Sequence, residues 1–161
     1  FGPVFKIPKA KMLSAGAKIM SLQNPKQKMS KSSLDKKGTI DLLDSPKVIK
    51  NKIMSAVTDS GQEIKVAKDK PGISNLLIIY SAITKTSIDQ LEAQYQNKNY
   101  GQLKNDLAKK LIQFLTPIQD RYQKIYQDKG SLENILQDGT KRARKVSQKT
   151  LSLAQQKIGL G

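Results

Sequence analysis

The spacing of apolar positions divides this chain into an irregular opening and a helical remainder. Near the start, apolar residues fall in short pieces. Val4-Phe5-Lys6-Ile7 is closed by Pro8, and Lys18-Ile19-Met20-Ser21-Leu22 alternates as a strand does, between Gly16 and the turn signal Asn24-Pro25. From Lys26 to Gly38 almost nothing is apolar except Met29 and Leu34, so an exposed, mobile loop is expected there. After it the period changes to that of a helix. Ser45 suits an N-cap and Pro46 the first helical position, with Val48, Ile49, Ile53 and Val57 marking one face. A second helix is expected from near Ser74, carrying Leu76, Leu77, Tyr80 and Ile83, and Ser87 with Gln90 forms a capping box for a third.

From Tyr100 onward, Leu103, Leu107, Leu111, Phe114, Ile118, Tyr122 and Ile125 recur at three- and four-residue steps, which predicts a long helix burying one face. Pro117 is expected to bend or break it. Gly130-Ser131 reads as a stop and restart, after which Leu132, Ile135, Gly139, Ala143, Val146, Thr150 and Ala154 repeat the spacing. Two long helices, paired antiparallel, are the expectation.

Charge adds the first functional content. The formal net charge of +16 over 161 residues attracts polyanions at long range, and nucleic acid leads among them; a solvated lysine-rich surface would carry the same charge. The absence of cysteine and histidine removes thiol nucleophiles, disulfides, the usual zinc ligand sets and imidazole catalysis. Any chemistry falls to Lys, Ser or carboxylates. The longest apolar run, Leu76-Leu77-Ile78-Ile79-Tyr80, is too short to span a bilayer, and the opening Phe1-Gly2-Pro3 has no signal-peptide pattern, so a cytoplasmic location without membrane attachment is expected. That opening, without an initiator methionine, also reads as a chain entered midway.

The chemistry concentrates in Lys28-Met29-Ser30-Lys31-Ser32, on the polar loop just after the expected strand. Two ammonium groups three residues apart can close over a triphosphate as compact positive charges. Where pyrophosphate departs from a triphosphate, stabilising its growing charge more in the transition state than in the ground state raises the rate. Lys31 and Lys28 are the candidates for that role, Lys31 first. Ser30 and Ser32 can donate to phosphate oxygens, and Met29 can pack at the base of the loop or near a nucleobase. A second basic cluster, Lys141, Arg142, Arg144 and Lys145, followed by Lys149 and Lys157, runs to the end of the chain without an acidic residue. It suits phosphate contact, or equally a solvated helix face whose cations complement the macrodipole. Tyr95 and Tyr100 can stack on bases but more often pack at helix ends, and single carboxylates such as Asp59 and Asp106 are assigned no catalytic role.

The pentamer matches the KMSKS signature of class I aminoacyl-tRNA synthetases. Together with Gly16-Ala17-Lys18-Ile19-Met20-Ser21-Leu22, Ala56-Val57-Thr58-Asp59-Ser60 and Gly72-Ile73-Ser74-Asn75-Leu76, taken in order, the chain resembles bacterial tryptophanyl-tRNA synthetases over essentially its whole length. The resemblance implies a mainly α fold: a C-terminal helical domain of the anticodon-recognition type, joined to the last strand and signature loop of a Rossmann-type catalytic domain. Residues 1–38 would be the edge of that catalytic domain and residues 39–161 the helical tRNA-recognition domain with its connection. It implies activation of L-tryptophan with ATP and Mg2+, transfer to tRNA(Trp), and a homodimeric whole. It places Ile19 against the adenosine, Lys28 to Ser32 on the ATP phosphates, Lys141, Arg142, Arg144 and Lys145 on tRNA, and no resident metal site.

The chain departs from the family pattern in three respects. Ser33 and Leu34 intervene before Asp35, where an acid commonly follows the signature directly. Lys9 stands where an acid is common after Pro8. Nothing resembles the Gly-rich HIGH-type segment, the tryptophan pocket or the Gly-Asp-x-Gln stretch. A chain inactive alone is therefore expected. The alternatives are a non-catalytic basic RNA-binding module and another class I synthetase such as the tyrosine enzyme.

Overall fold

A computed structural model describes residues 1–11 and 18–160, in five α-helices: α1 Pro46–Met54, α2 Pro71–Thr84, α3 Ile88–Gln94, α4 Tyr100–Gln127 and α5 Lys129–Ile158. Gly16 and Ala17, which open the first block of resemblance, lie outside the described residues. Two compact units emerge, Met12–Gln119 and a second made of Phe1–Lys11 with Asp120–Gly161.

Local chemistry sets most helix starts in the first unit. Ser45 accepts from the Val48 amide and Pro46 follows at the first helical position, while Ser87 and Gln90 form the reciprocal capping box. α2 starts three residues before the expected Ser74, because Pro71 pre-sets the helical φ. The hydroxyl of Ser74 is instead bonded to the Ala67 backbone. The core gathers Leu22, Ile49, Ile53, Ile73, Leu76, Leu77, Leu91, Leu103 and Leu107, each close to fully buried and each worth about 1.5–3 kcal/mol relative to exposure. Val48 stays exposed and Val57 falls beyond the end of α1. Gly72 lets α2 approach the preceding chain, since a Cβ there would collide with the Val57 carbonyl.

The strand expected over Lys18–Leu22 is reduced to an isolated antiparallel bridge between Met20 and Lys28. A strand needs a continuous neighbour on at least one edge. This segment finds instead a tight turn on one side, with the Met29 amide donating to Ile19 at 2.9 Å and Ser21 to Gln27 at 2.8 Å, and scattered partners elsewhere.

In α4 the buried face runs Leu103, Leu107, Leu111, Leu115, so strict four-residue steps replace the expected drift to Phe114 and Ile118, which are exposed. Pro117 does not break the helix, which continues to Gln127. In the second unit the restart falls at Asp128, not at Gly130-Ser131. Asp128 caps α5 by accepting from the Ser131 amide at 2.9 Å, placing both those residues in the first turn. A single residue, Asp128, joins α4 to α5, and α5 buries none of its residues.

Candidate functional site

The signature loop grows from a base whose backbone is tied down. The turn Asn24–Gln27 closes with an amide-to-carbonyl bond of 2.9 Å, and the Met29 amide reaches Ile19. Met29 and Ile19 are half-buried against the core and line an apolar groove of about 310 Å³, with Ile40, Leu42, Ile79 and Leu111 among its walls. Beyond Met29 the chain turns outward. The Ser30 and Ser32 hydroxyls lie 2.9 Å apart, and the buried Thr39 hydroxyl donates to the Ser30 carbonyl at 3.0 Å. Lys36 donates to the Lys31 carbonyl at 3.3 Å. Asp35 caps the short 3-10 turn Lys36–Gly38, and Gly38 packs so closely on the Ser21 side chain that a Cβ would not fit.

Lys28, Ser30, Lys31 and Ser32 are all exposed. Among the described residues neither lysine has a carboxylate within ion-pair distance, whereas Lys52, Lys70, Lys109 and Lys141 do. Two unpaired ammonium groups on a braced base are free to take an anionic ligand, and the hydroxyls between them supply further donors. Lys36, also exposed, adds a cation that the sequence pattern did not single out; its proximity to Lys31 was legible only as a five-residue spacing.

The helix–loop junctions carry the polar side chains that sequence reasoning missed. Lys52 is buried with its ammonium 2.6 Å from Asp44, and Gln119 donates to the Leu42 and Asp44 carbonyls at 2.8 and 3.0 Å, so the 41–44 turn after the loop is held from two helices. Asn75, buried on α2, accepts from the Met20 amide at 2.9 Å and donates to the Met20 carbonyl at 2.8 Å. The polar pair Ser74-Asn75 inside the run Ile73 to Ile79 was the available signal, because a polar side chain buried there must find a partner.

Tyr95 is buried, with its hydroxyl donating to Asp106 at 3.0 Å and resting 3.3 Å from Tyr80; burial and these two neighbours push its pKa up. It packs, and no face is open for a base. Tyr100 donates to Asp59 at 2.8 Å, and Lys70 lies 3.3 Å from the same carboxylate oxygen. Burial alone would raise the Asp59 pKa, but hydrogen bonds from Tyr100, the Gly61 amide and Lys70 leave it below its ordinary value. This cluster braces the loop after α1. Lys104, its pKa lowered by burial, donates to the Ala56 carbonyl at 2.8 Å. A larger polar hollow of about 870 Å³ between residues 62–65 and 95–99 contains no signature-loop residue.

In the other unit Lys141, Arg142, Arg144 and Lys145 are exposed on α5. Lys141 meets Asp138 at 3.7 Å, but both are so exposed that the pair contributes little. Arg142, Lys145 and Lys149 fall at a three- and four-residue spacing that puts them on one face. Among the described residues no group of three or more acidic side chains could hold a metal ion, and no helix is long and apolar enough to cross a membrane.

Residues 1–116 match the family described as tRNA synthetases class I (W and Y). The chain is 48% identical over 160 residues to the tryptophan--tRNA ligase 2 of Streptomyces avermitilis, covering 99% of this chain and 48% of that protein. It is 46% identical over 162 residues to the tryptophan--tRNA ligase of Bacillus subtilis, covering all of this chain and 49% of that one. The crystal structure of tryptophanyl-tRNA synthetase from Mycoplasma pneumoniae superposes with a TM-score of 0.84 at 35% identity, over 92% of this chain and 45% of that one. The chain thus spans about half the length of the relatives it matches.

Proposed function

This chain belongs to the class I tRNA synthetases of the W and Y type, and from that premise we propose that it supplies the phosphate-side loop and the tRNA-facing helix of an enzyme joining L-tryptophan to tRNA(Trp) with ATP. The observation that carries the reading is the loop itself: Lys28 and Lys31 stand exposed and, among the described residues, unpaired on a base fixed by the Met29–Ile19 and Thr39–Ser30 bonds. The choice of tryptophan over tyrosine rests on the names of the relatives at 46–48% identity.

In this mechanism the base stays fixed and the loop tip closes on the triphosphate. Ile19 and Met29 border the adenosine, Ser30 and Ser32 donate to phosphate oxygens, and the Lys28 and Lys31 ammonium groups neutralise charge growing on the departing pyrophosphate. Their interaction strengthens as that charge develops, which is what accelerates the step. Mg2+ would arrive with the triphosphate. The loop offers ammonium and hydroxyl donors with no carboxylate cluster, a poor ligand set for that ion, so no step here runs through a protein-held metal. Lys141, Arg142, Arg144 and Lys145 would contact tRNA phosphates or stack on an unpaired base. We assign residues 1–38 to the edge of the catalytic domain and residues 39–161 to tRNA recognition, within a cytoplasmic homodimer.

In the full-length protein, Lys28→Ala and Lys31→Ala are each expected to slow tryptophan-dependent ATP–pyrophosphate exchange by about 100-fold while tryptophan affinity holds. Unchanged exchange in both variants would overturn the assigned roles. The chain by itself is expected to show no exchange, and robust exchange from residues 1–161 alone would overturn its reading as a partial site. The exposed basic face of α5 also suits a non-catalytic RNA-binding module, a reading to be preferred if ATP leaves the NMR signals of Lys28 to Ser32 unmoved.

A further inference from the structure

Among the described residues three polar side chains are buried, Thr39, Lys52 and Asn75, and they hold the signature loop or the chain just before and after it. Thr39 holds the Ser30 carbonyl and Lys52 the 41–44 turn. Asn75 is the most deeply placed in sequence terms, 55 residues from its partner and only 3% exposed. Its amide makes both hydrogen bonds that a neighbouring strand would make to Met20, donating through Nδ2 and accepting through Oδ1. The surrounding backbone groups have other partners: the Ile19 carbonyl takes Met29, the Ser21 amide Gln27, the Leu22 amide Gly38 and the Leu22 carbonyl Val57.

We infer that Asn75 is a positioning residue for the nucleotide. It touches no reacting atom. It pins the Met20 peptide to α2 and so fixes the height of Ile19 above the apolar groove, and through the Met29–Ile19 bond it fixes the root of the loop carrying Lys28 and Lys31. The groove walls Ile79 and Ile83 lie on the same helix as Asn75, four and eight residues on, so one rigid element sets both the floor and the edge of the site. The alternative role, satisfying two buried backbone groups and nothing more, predicts no bias toward one substrate when Asn75 is changed. Small displacements of a bound group cost rate steeply, so a loosened Met20 peptide would be felt in nucleotide binding before it is felt elsewhere.

This inference rests on the nucleotide-loop reading above. It predicts that Asn75→Asp, which preserves shape and the acceptor but sets a carboxylate oxygen against the Met20 carbonyl, raises KM for ATP about tenfold in the full-length protein. KM for tryptophan should stay within about twofold, and the thermal midpoint should fall by only a few degrees. Asn75→Ala, which removes both bonds, should in addition speed hydrogen exchange at the Met20 amide, a readout that needs no activity. Wild-type protein with no exchange activity would overturn the parent reading. An active wild type whose Asn75→Asp variant keeps its ATP KM, or loses ATP and tryptophan binding in parallel with its thermal midpoint, would overturn the role of Asn75 alone. So would Met20 protection unaltered in Asn75→Ala.

Discussion

Lys52 offers the sharpest quantitative test of how the loop is held. Its ammonium lies 2.6 Å from one Asp44 carboxylate oxygen and 3.9 Å from Asp41, with the Lys52 and Asp44 side chains only 10% and 14% exposed. At that burial no discount for solvent screening applies, and breaking the pair from one side strands a charge in a poorly solvated place. Lys52→Met keeps the aliphatic stem against the core but leaves Asp44 with the Asp41 amide, 2.9 Å away, as its remaining side-chain partner. The expected cost is about 3 kcal/mol, and Asp44→Leu should cost a similar amount by stranding the ammonium. The double variant removes both charges, so its cost should fall short of the sum by about 2 kcal/mol. Urea unfolding followed by helical circular dichroism gives all four stabilities. Single-variant costs that simply add, to within about 0.5 kcal/mol, would refute the claim that the pair acts as one buried unit.

Three further outcomes follow from the same geometry. Gly72→Ala forces a methyl group against the Val57 carbonyl and should destabilise the first unit by about 2 kcal/mol, against the usual gain for Gly→Ala in a helix; a neutral or stabilising result in thermal melts would contradict the close approach. Asp59 has a folded-state pKa below its ordinary 3.8, so its stabilisation is present above that value and disappears as pH falls through the lower folded pKa. Urea midpoints should therefore decline below about pH 4 in the wild type and decline less in Asp59→Asn, and parallel declines would exclude Asp59 as a source. Arg142→Ala and Arg144→Ala, at exposed positions, should each weaken tRNA binding and lower its salt slope by about one while leaving the melting temperature unchanged; a lost melting temperature would make them structural.

What could be read from the sequence was what local chemistry decides. Ser45-Pro46 and the Ser87–Gln90 box announce helix starts because the capping groups lie within three residues of the amides they satisfy. The Leu103–Leu115 face follows from a four-residue repeat. What failed was decided by partners elsewhere. Ile19 to Leu22 alternates as a strand but finds no continuous neighbour, so only one bridge forms. Residues 132–154 carry a helical apolar period, yet Val146 is 70% exposed, because a period says that a face suits a partner and does not supply one. Gly130 is the stronger helix breaker, yet Asp128 is the cap, because a cap is defined by where its side chain turns. For the candidate site, the pentamer exposed the lysines at once, but nothing near Thr39, Lys52 or Asn75 in sequence marks the groups they hold 8 to 55 residues away.

The two kinds of residue therefore do separable work. The lysines and serines of the loop tip are exposed and bonded to little, which leaves their charge available and makes them inexpensive to replace in stability. The polar residues beneath are buried and fully used, which makes them costly to replace and leaves them nothing to offer a ligand. A site that takes up a triphosphate and releases pyrophosphate, as we propose for this loop, needs both: a tip able to close, and a base that does not move when it does. Substitutions at the tip should accordingly lower the rate of adenylate formation at constant stability. Substitutions at the base should alter nucleotide affinity together with unfolding free energy, and the ratio of the two effects at each position measures how directly that residue acts on the nucleotide.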